Sequence, residues 1–110
     1  MKPLSVEDGS AIELVQQERR RQIEAEGWSL EHDDTHRSAE LTRAAMSYAD
    51  SARRQLLGAS LEHGLALPWA AYWPWDEEWW KPSSDPIRNL VKSAALIVAE
   101  IERLQRKAKP

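Results

Sequence analysis

The sequence has no cysteine and no phenylalanine, and only four of its 110 residues are glycine. Without cysteine, disulfide bonds, thiolate catalysis and cysteine-ligated zinc sites are excluded. The longest apolar run, residues 94–99, is far too short to span a bilayer. The first ten residues lack the apolar segment that directs secretion, so we expect a cytoplasmic protein with no membrane partner.

A large excess of charge is also missing, because the formal net charge is only −3. A protein that coats nucleic acid needs a basic surface, so that class of function is not expected. Hydrophobic residues make up 42% and charged residues 30% of the chain, as in an ordinary folded domain. We expect a flexible segment at residues 1–9 and a single helical domain at residues 10–110.

Start and stop signals divide the first half of the chain into two helices. The first helix is predicted to follow Ser10, a favoured N-cap residue in a capping box, and to end at Ala25 or Glu26. The second is predicted to follow Ser38 and to end near Leu57, next to a glycine. Alanines at helical spacing give this second helix a thin seam that a partner helix can approach closely.

The third predicted helix follows the pair Asp85-Pro86, a favoured N-cap and first helical residue, and covers residues 87–106. Its apolar positions predict a wide buried face, which would make it the central helix. That face comprises Leu90, Val91, Ala94, Ile97, Val98, Ile101 and Leu104. No stretch has the alternation of a strand. We therefore expect an all-α fold, a small bundle of three principal helices.

Five of the six tryptophans lie within residues 69–80, at Trp69, Trp73, Trp75, Trp79 and Trp80. Three readings are open for this irregular segment, which should pack across the bundle: a core lid, the wall of a ligand site, or a protein interface. We expect Trp28 and Trp69 to be structural. Trp73 and Trp75, held apart by a proline, should be partly exposed.

The connector at residues 32–36 places two histidines and two aspartates within five residues. Such a group can hold a divalent metal or supply general acids and bases, but it also suits a polar loop between helices. A metal site normally needs at least three protein ligands at a recognisable spacing in the sequence, so we expect neither a metal nor a cofactor. Common catalytic motifs such as a phosphate loop or G-x-S-x-G are absent, which favours a binding protein over an enzyme.

A candidate ligand site combines the tryptophan segment with polar residues of the first helix and the connector. Trp73 and Trp75 would stack on a planar ligand, and Arg19 and Lys81 would balance its negative charge. The full set is Arg19, Gln22, Trp28, His32, Asp34, His36, Trp73, Trp75 and Lys81. For the charges on the first helix, the alternative is a solvated face with ordinary ion pairs.

Three stretches carry a resemblance to a known group of proteins. They read ERRRQIEAEGWSLEHDDTHRSAELTRAAMSYA, WPWDEEWWKP and IRNLVKSAALIVAEIERL. In wording and order they resemble a family of short proteins from phage and prophage genomes, over roughly residues 18–104. This resemblance implies a phage protein that acts in the cytoplasm of a bacterial host cell.

A second similarity is to ryanodine-receptor-type repeat domains. Those domains also have a helix that ends in a Gly-Trp pair, like Gly27-Trp28, and a Lys and an Asp before a later helix, like Lys81 and Asp85. Their His-Pro and Pro-Tyr elements are missing from this chain. The similarity implies a small ligand-binding module of the kind found beside nucleotide signalling.

Together these observations predict a small phage-type binding protein that sequesters a nucleotide-like signalling ligand and so counters a bacterial defence. One alternative is an inhibitor that docks its aromatic surface on a host protein. Another is a metal-dependent hydrolase built on His32, Asp33, Asp34 and His36. The sequence allows a homo-oligomer in each case.

Overall fold

The computed structural model describes residues 9–25, 39–58 and 72–108. These residues form three α-helices and one turn of 3₁₀-helix, and they contain no strand, which confirms the all-α fold. The helices are α1 (Ala11–Ala25), α2 (Glu40–Leu56) and α3 (Pro86–Ala108), with the 3₁₀ turn at Glu77–Trp79. Within the described ranges, no helix is long and apolar enough to cross a membrane.

Helix α3 is central, as predicted, because both other helices pack against it. The α2–α3 contact is close, since Ala44, Ala45 and Ala52 of α2 and Ala95 and Ala99 of α3 are all buried. Small side chains let two helix backbones approach, so the predicted alanine seam of α2 is confirmed. This proximity allows a direct tie between the helices: the Ser93 hydroxyl donates to the Ala45 carbonyl at 2.8 Å.

The predicted helix ends are confirmed where a local signal sets them. The Glu13 amide donates to the Ser10 hydroxyl at 3.1 Å, which caps α1. The Ile87 amide donates to the Asp85 carboxylate at 2.9 Å, which caps α3. Helix α2 ends as expected, with Leu57 as its C-cap and Gly58 at a φ of 78°. Side-chain bonds to the first turn therefore set the starts of α1 and α3, whereas backbone bonds and the glycine set the end of α2.

The start of α2 differs from the prediction. Its N-cap position is taken by Ala39, which has a φ of 61° and makes no side-chain capping bond. The predicted cap, Ser38, lies outside the described residues and is one position too early. An alanine in this left-handed conformation is strained, because its Cβ crowds the backbone.

The inward face of α3 also differs from the prediction. Leu90, Ile97, Ile101 and Leu104 were expected in the core, but each is 46–49% exposed. The buried positions of the helix are Asn89, Val91, Ser93, Ala95, Leu96 and Ala99. The α-helices approach each other through the small side chains, and the buried polar residues form hydrogen bonds there, so the bulky aliphatic stripe is turned away.

The core lies between α2, α3 and the tryptophan segment. Its buried members are Leu41, Ala44, Ala45, Tyr48, Trp73, Leu96 and Ala99, with Trp75 and Trp80 packed against them. The predicted packing of the tryptophan segment across the bundle is therefore present for its described part.

The amide of Asn89, which is fully buried, fastens the loop before α3 to both long helices. Its oxygen accepts from the Ser83 amide at 2.8 Å. Its nitrogen donates to the Ser83 carbonyl at 2.8 Å and to Gln55 of α2 at 2.9 Å. The Gln55 side chain in turn donates to the same carbonyl at 2.9 Å. This network fixes where the tryptophan segment leaves the bundle.

Candidate functional site

Four aromatic rings form a continuous cluster on α2, which we call the aromatic cluster: Tyr48, Trp73, Trp75 and Trp80. Trp73 is at its centre, with ring centroids 5.7 Å from Tyr48, 5.2 Å from Trp75 and 5.0 Å from Trp80. Trp80 also lies 4.7 Å from Tyr48. Edge-to-face and tilted pairs at these distances are favourable arrangements for aromatic rings, so the cluster is a rigid base.

Trp73 is a core residue, and the prediction that it is partly exposed is wrong. It is only 8% exposed, and its indole N–H donates to the Asp76 carbonyl at 3.0 Å. The ring is therefore packed in the core, and its single donor is used by the fold. Trp75 is half-buried, in agreement with the prediction for that residue.

The exposed aromatic residue of the segment is Trp79, which is 54% exposed. It ends the 3₁₀ turn, whose backbone closes through bonds from the Trp79 amide to Asp76 at 3.1 Å and from the Trp80 amide to Glu77 at 2.9 Å. The side chains of Asp76, Glu77 and Glu78 are exposed beside it. We call residues 76–81 the tryptophan turn.

The sequence did not single out Trp79 among the five clustered tryptophans. A usable signal was its position after three consecutive acidic residues, since a run of charges requires contact with water. The other three described tryptophans, Trp73, Trp75 and Trp80, belong to the aromatic cluster and pack against the bundle.

Lys81 is held next to Trp79 and close to the aromatic cluster. Its ammonium lies 5.7 Å from the centroid of the Trp79 ring, within the range of a cation–π contact. Its backbone amide donates to the Tyr48 hydroxyl at 3.3 Å, and its carbonyl accepts from the Lys92 ammonium at 2.7 Å. Lys92 also lies 5.4 Å from the Tyr48 ring, so two lysines border the aromatic cluster.

The polar residues of α1 form a second group, centred on Glu18. This carboxylate is only 1% exposed and accepts two hydrogen bonds from Arg21, each at 2.8 Å, and one from Arg88 of α3. Burial on its own would raise the pKa of Glu18, but the bonds and positive charges of Arg21 and Arg88 outweigh it and hold that pKa below its ordinary value. Glu18 is therefore a buried anion.

Arg19 and Gln22, two of the predicted site residues, belong to this second group. Both are buried. Arg19 donates to Glu102 of α3 at 3.0 Å, so its charge is used in an ion pair. Gln22 donates to Glu18 at 3.2 Å, and its own oxygen Oε1 accepts no hydrogen bond from the described residues. The expected alternative for Arg19, an ordinary ion pair, describes its contact, although the Arg19 side chain is buried while that of Glu102 is about half exposed.

The remaining predicted site residues, Trp28, His32, Asp34 and His36, lie outside the described residues, as do Asp33 and Trp69. The metal and ligand predictions for the connector therefore stay predictions. Within the described ranges, no group of three or more His, Asp or Glu side chains could hold a metal ion.

The described structure thus places the predicted site residues in two groups. Arg19 and Gln22 lie at the contact between α1 and α3, whereas Trp73, Trp75 and Lys81 belong to the segment that packs on α2. Comparison with known proteins adds no further assignment, because no family model, no curated protein and no solved structure matches this sequence.

Proposed function

We propose that this is a small binding protein that docks on another protein through the tryptophan turn. The observation that carries this proposal is Trp79, a largely exposed indole presented by a turn that the aromatic cluster holds in place. Exposed tryptophans are common anchors of protein interfaces, where the indole fills an apolar pocket of the partner. A turn that is already ordered loses little conformational entropy on binding.

The charges around Trp79 indicate the chemistry of the partner. Asp76, Glu77 and Glu78 place three exposed carboxylates directly before Trp79 in the turn, whereas Lys81 adds one positive charge next to the ring. A partner surface with an apolar pocket and a basic rim complements this arrangement, and a phosphorylated ligand would be repelled by the three carboxylates. The same carboxylates would speed association with a basic partner at low salt.

The resemblance to short phage proteins supports a host protein as the partner, and blunting a bacterial defence as the consequence. On this proposal the chain performs no chemistry of its own. It acts by occupying a surface that the host protein needs, and it does so in the host cytoplasm.

The proposal is tested by binding of tagged protein to proteins from a bacterial host extract, followed by a titration with the purified partner. Trp79→Ala should weaken the measured binding at least tenfold, since loss of a hot-spot tryptophan costs about 2 kcal/mol or more. Ile12→Ala is the matched control, because Ile12 is also well exposed but lies on α1, a different element from the one on which the turn packs. Equal loss of binding by both variants, or by neither, would contradict the proposal.

A second candidate is the nucleotide-like ligand, held between the tryptophan segment and the region of residues 22–36. One observation favours it: Gln22 Oε1 is a buried acceptor without a hydrogen-bond donor among the described residues. A buried acceptor is costly to leave unsatisfied, and a ligand amine or hydroxyl would satisfy it.

Native mass spectrometry of protein purified from host cells separates the two candidates. A retained small molecule that also raises the melting temperature, and that Gln22→Leu no longer retains, supports the ligand. A retained protein that Trp79→Ala loses supports docking. Added cyclic dinucleotides that leave the melting temperature of the wild-type protein unchanged would count against that class of ligand.

A further inference from the structure

The exposed aliphatic stripe of α3 has the spacing of a helix-pairing seam. Starting from Leu90, the residues at steps of four and three are Ala94, Ile97, Ile101, Leu104 and Ala108. This alternation repeats every seven residues, so the stripe drifts by only about 20° per repeat around the helix and can follow a second helix, as in a coiled coil. Leu90, Ile97, Ile101 and Leu104 are all close to half exposed.

The stripe lies away from the hydrogen bonds and ion pairs that tie the other described helices to α3. Helix α2 packs on the side of α3 that carries Asn89 and Ser93, and α1 contacts the side that carries Arg88 and Glu102. The stripe is the third side of the same helix. A row of four large aliphatic side chains over about 21 Å of helix is unusual for the surface of a monomer, because such patches mark interaction sites.

We propose that the stripe is the interface of a homodimer, in which α3 of one copy pairs with α3 of a second copy. A second copy offers the same stripe, with equal length, the same repeat and no charged residue along the seam. A two-fold interface requires that kind of self-complementary surface. This proposal goes beyond the docking function, since the tryptophan turn is a different surface.

Side-chain sizes along the stripe favour antiparallel pairing. An arrangement that places Ala94 of one copy opposite Ile97 of the other fits a small side chain against a large one, and symmetry makes this contact twice. The same register places Leu90 opposite Ile101. Alternation of small and large residues across a seam fills the space between two helices without voids.

The area of the stripe fits a dimer of modest strength. Each of the four large side chains leaves on the order of 90 Å² exposed, so two stripes and their flanks bury roughly 800–1,000 Å² in total, near the lower limit of specific interfaces. The dimer should therefore dissociate on dilution into the micromolar range.

Sedimentation equilibrium of the wild-type protein over a wide concentration range is the first test. The proposal requires a mass that rises from one chain of 12.6 kDa toward two chains as concentration increases. Ile97→Glu should remain folded by circular dichroism and stay at the mass of one chain. Ile12→Glu is the matched control, because Ile12 is exposed on α1 and should leave the dimer intact.

Single cysteines provide a second test, since the natural chain has none. Under mild oxidation Ile97→Cys should form a disulfide-linked dimer, because this position lies near the two-fold axis. Leu104→Cys should not, since antiparallel pairing separates the two copies of that residue.

Three results would overturn the proposal. One is a wild-type protein that keeps the mass of a single chain at all concentrations. Another is an Ile97→Glu variant that fails to fold, which would mean that the same chain covers the stripe. The third is a failure of both cysteine variants to cross-link, whereas equal cross-linking at positions 97 and 104 would replace the antiparallel arrangement by a parallel one.

Discussion

Glu18 of α1 and Arg88 of α3 are 70 positions apart in the sequence and form a hydrogen-bonded ion pair whose carboxylate is buried. This pair, with Arg21 and Gln22 around it, is the polar tie between α1 and the central helix.

Replacement of Glu18 by Gln should destabilise the protein by about 2 kcal/mol, because the charge-assisted bonds to two arginines are lost and their cations stay partly buried. The free energy of unfolding in urea measures this change. Glu24→Gln is the control on the same helix, since Glu24 is exposed and should change stability little. Equal effects of the two substitutions would show that the buried pair contributes nothing specific.

The stability of the wild-type protein should fall as the pH drops below about 4.5, the ordinary pKa of Glu18. The folded state lowers this pKa, so the unfolded chain takes up a proton first and acid favours unfolding. The stability from Glu18 is complete above the ordinary pKa and is lost as pH falls through the lowered value. Urea midpoints of the wild type and Glu18→Gln should converge in acid, and a constant gap down to low pH would contradict this explanation.

Asp50 of α2 is a second carboxylate that should contribute to the loss of stability in acid. Arg53 and Arg54 bond to its carboxylate, and although partial burial opposes them, they lower the pKa of Asp50 below 3.8. Because Arg53 is largely exposed, water screens much of this interaction. Asp50→Asn should therefore change the acid dependence in the same direction as Glu18→Gln, but by less.

Replacement of Ala39 by Gly should stabilise the protein by about 1 kcal/mol, because the residue has a φ of 61° that strains an alanine but not a glycine. Thermal unfolding measures the gain. Ala49→Gly is the control within α2, where the same chemical change should cost about 1 kcal/mol. If both substitutions destabilise equally, residue 39 is not strained in solution.

Replacement of Asn89 by Ala should cost about 2–4 kcal/mol, since three hydrogen bonds are lost and the Ser83 backbone loses its buried partner. The near-ultraviolet circular dichroism of the tryptophans should also weaken, because the loop that positions them is released. Gln55→Ala removes a smaller part of the same network and should have a smaller effect. Retention of the full aromatic signal by Asn89→Ala would exclude this positioning role.

Two tryptophan substitutions should differ strongly in their cost to stability. Trp73→Ala empties the centre of the core and should cost about 3–5 kcal/mol. Trp79→Ala should cost less than about 1 kcal/mol, because the indole is mostly in water and the turn closes through its backbone. Chemical denaturation of both variants checks this. A Trp79 variant as unstable as the Trp73 variant would make the whole segment structural.

The helices and most of their ends could be predicted from the sequence because local contacts set them. Ser10 and Asp85 each bond to an amide two or three residues ahead, so short-range patterns are sufficient. The start of α2 could not be predicted in this way. Its N-cap residue, Ala39, adopts a left-handed backbone conformation and makes no side-chain capping bond, so no typical cap residue marks the position.

The inward face of α3 could not be predicted, because two faces of that helix compete for the core. Hydrophobicity alone favours the stripe of Leu90 and Ile97. The structure instead buries Asn89 and Ser93. Asn89 bonds to Ser83 and Gln55, and Ser93 bonds to Ala45, so all of these partners lie outside α3. Those partners can be identified only from the packed structure, not from the sequence of α3 alone.

The exposure of individual tryptophans could not be predicted for the same reason. Trp73 is buried and Trp79 is exposed because of the one turn of 3₁₀-helix that ends at Trp79.

The residues that hold the tryptophan turn on the bundle differ from those that form its exposed surface. Trp73 and Trp80 hold the turn on Tyr48, and the turn closes through backbone atoms of Asp76 and Glu77. The exposed side chains at positions 76–79 are not needed for that closure. Related sequences can therefore exchange these four residues while the bundle stays unchanged, so on the docking proposal the partner of this surface can change from one lineage to the next without a new fold.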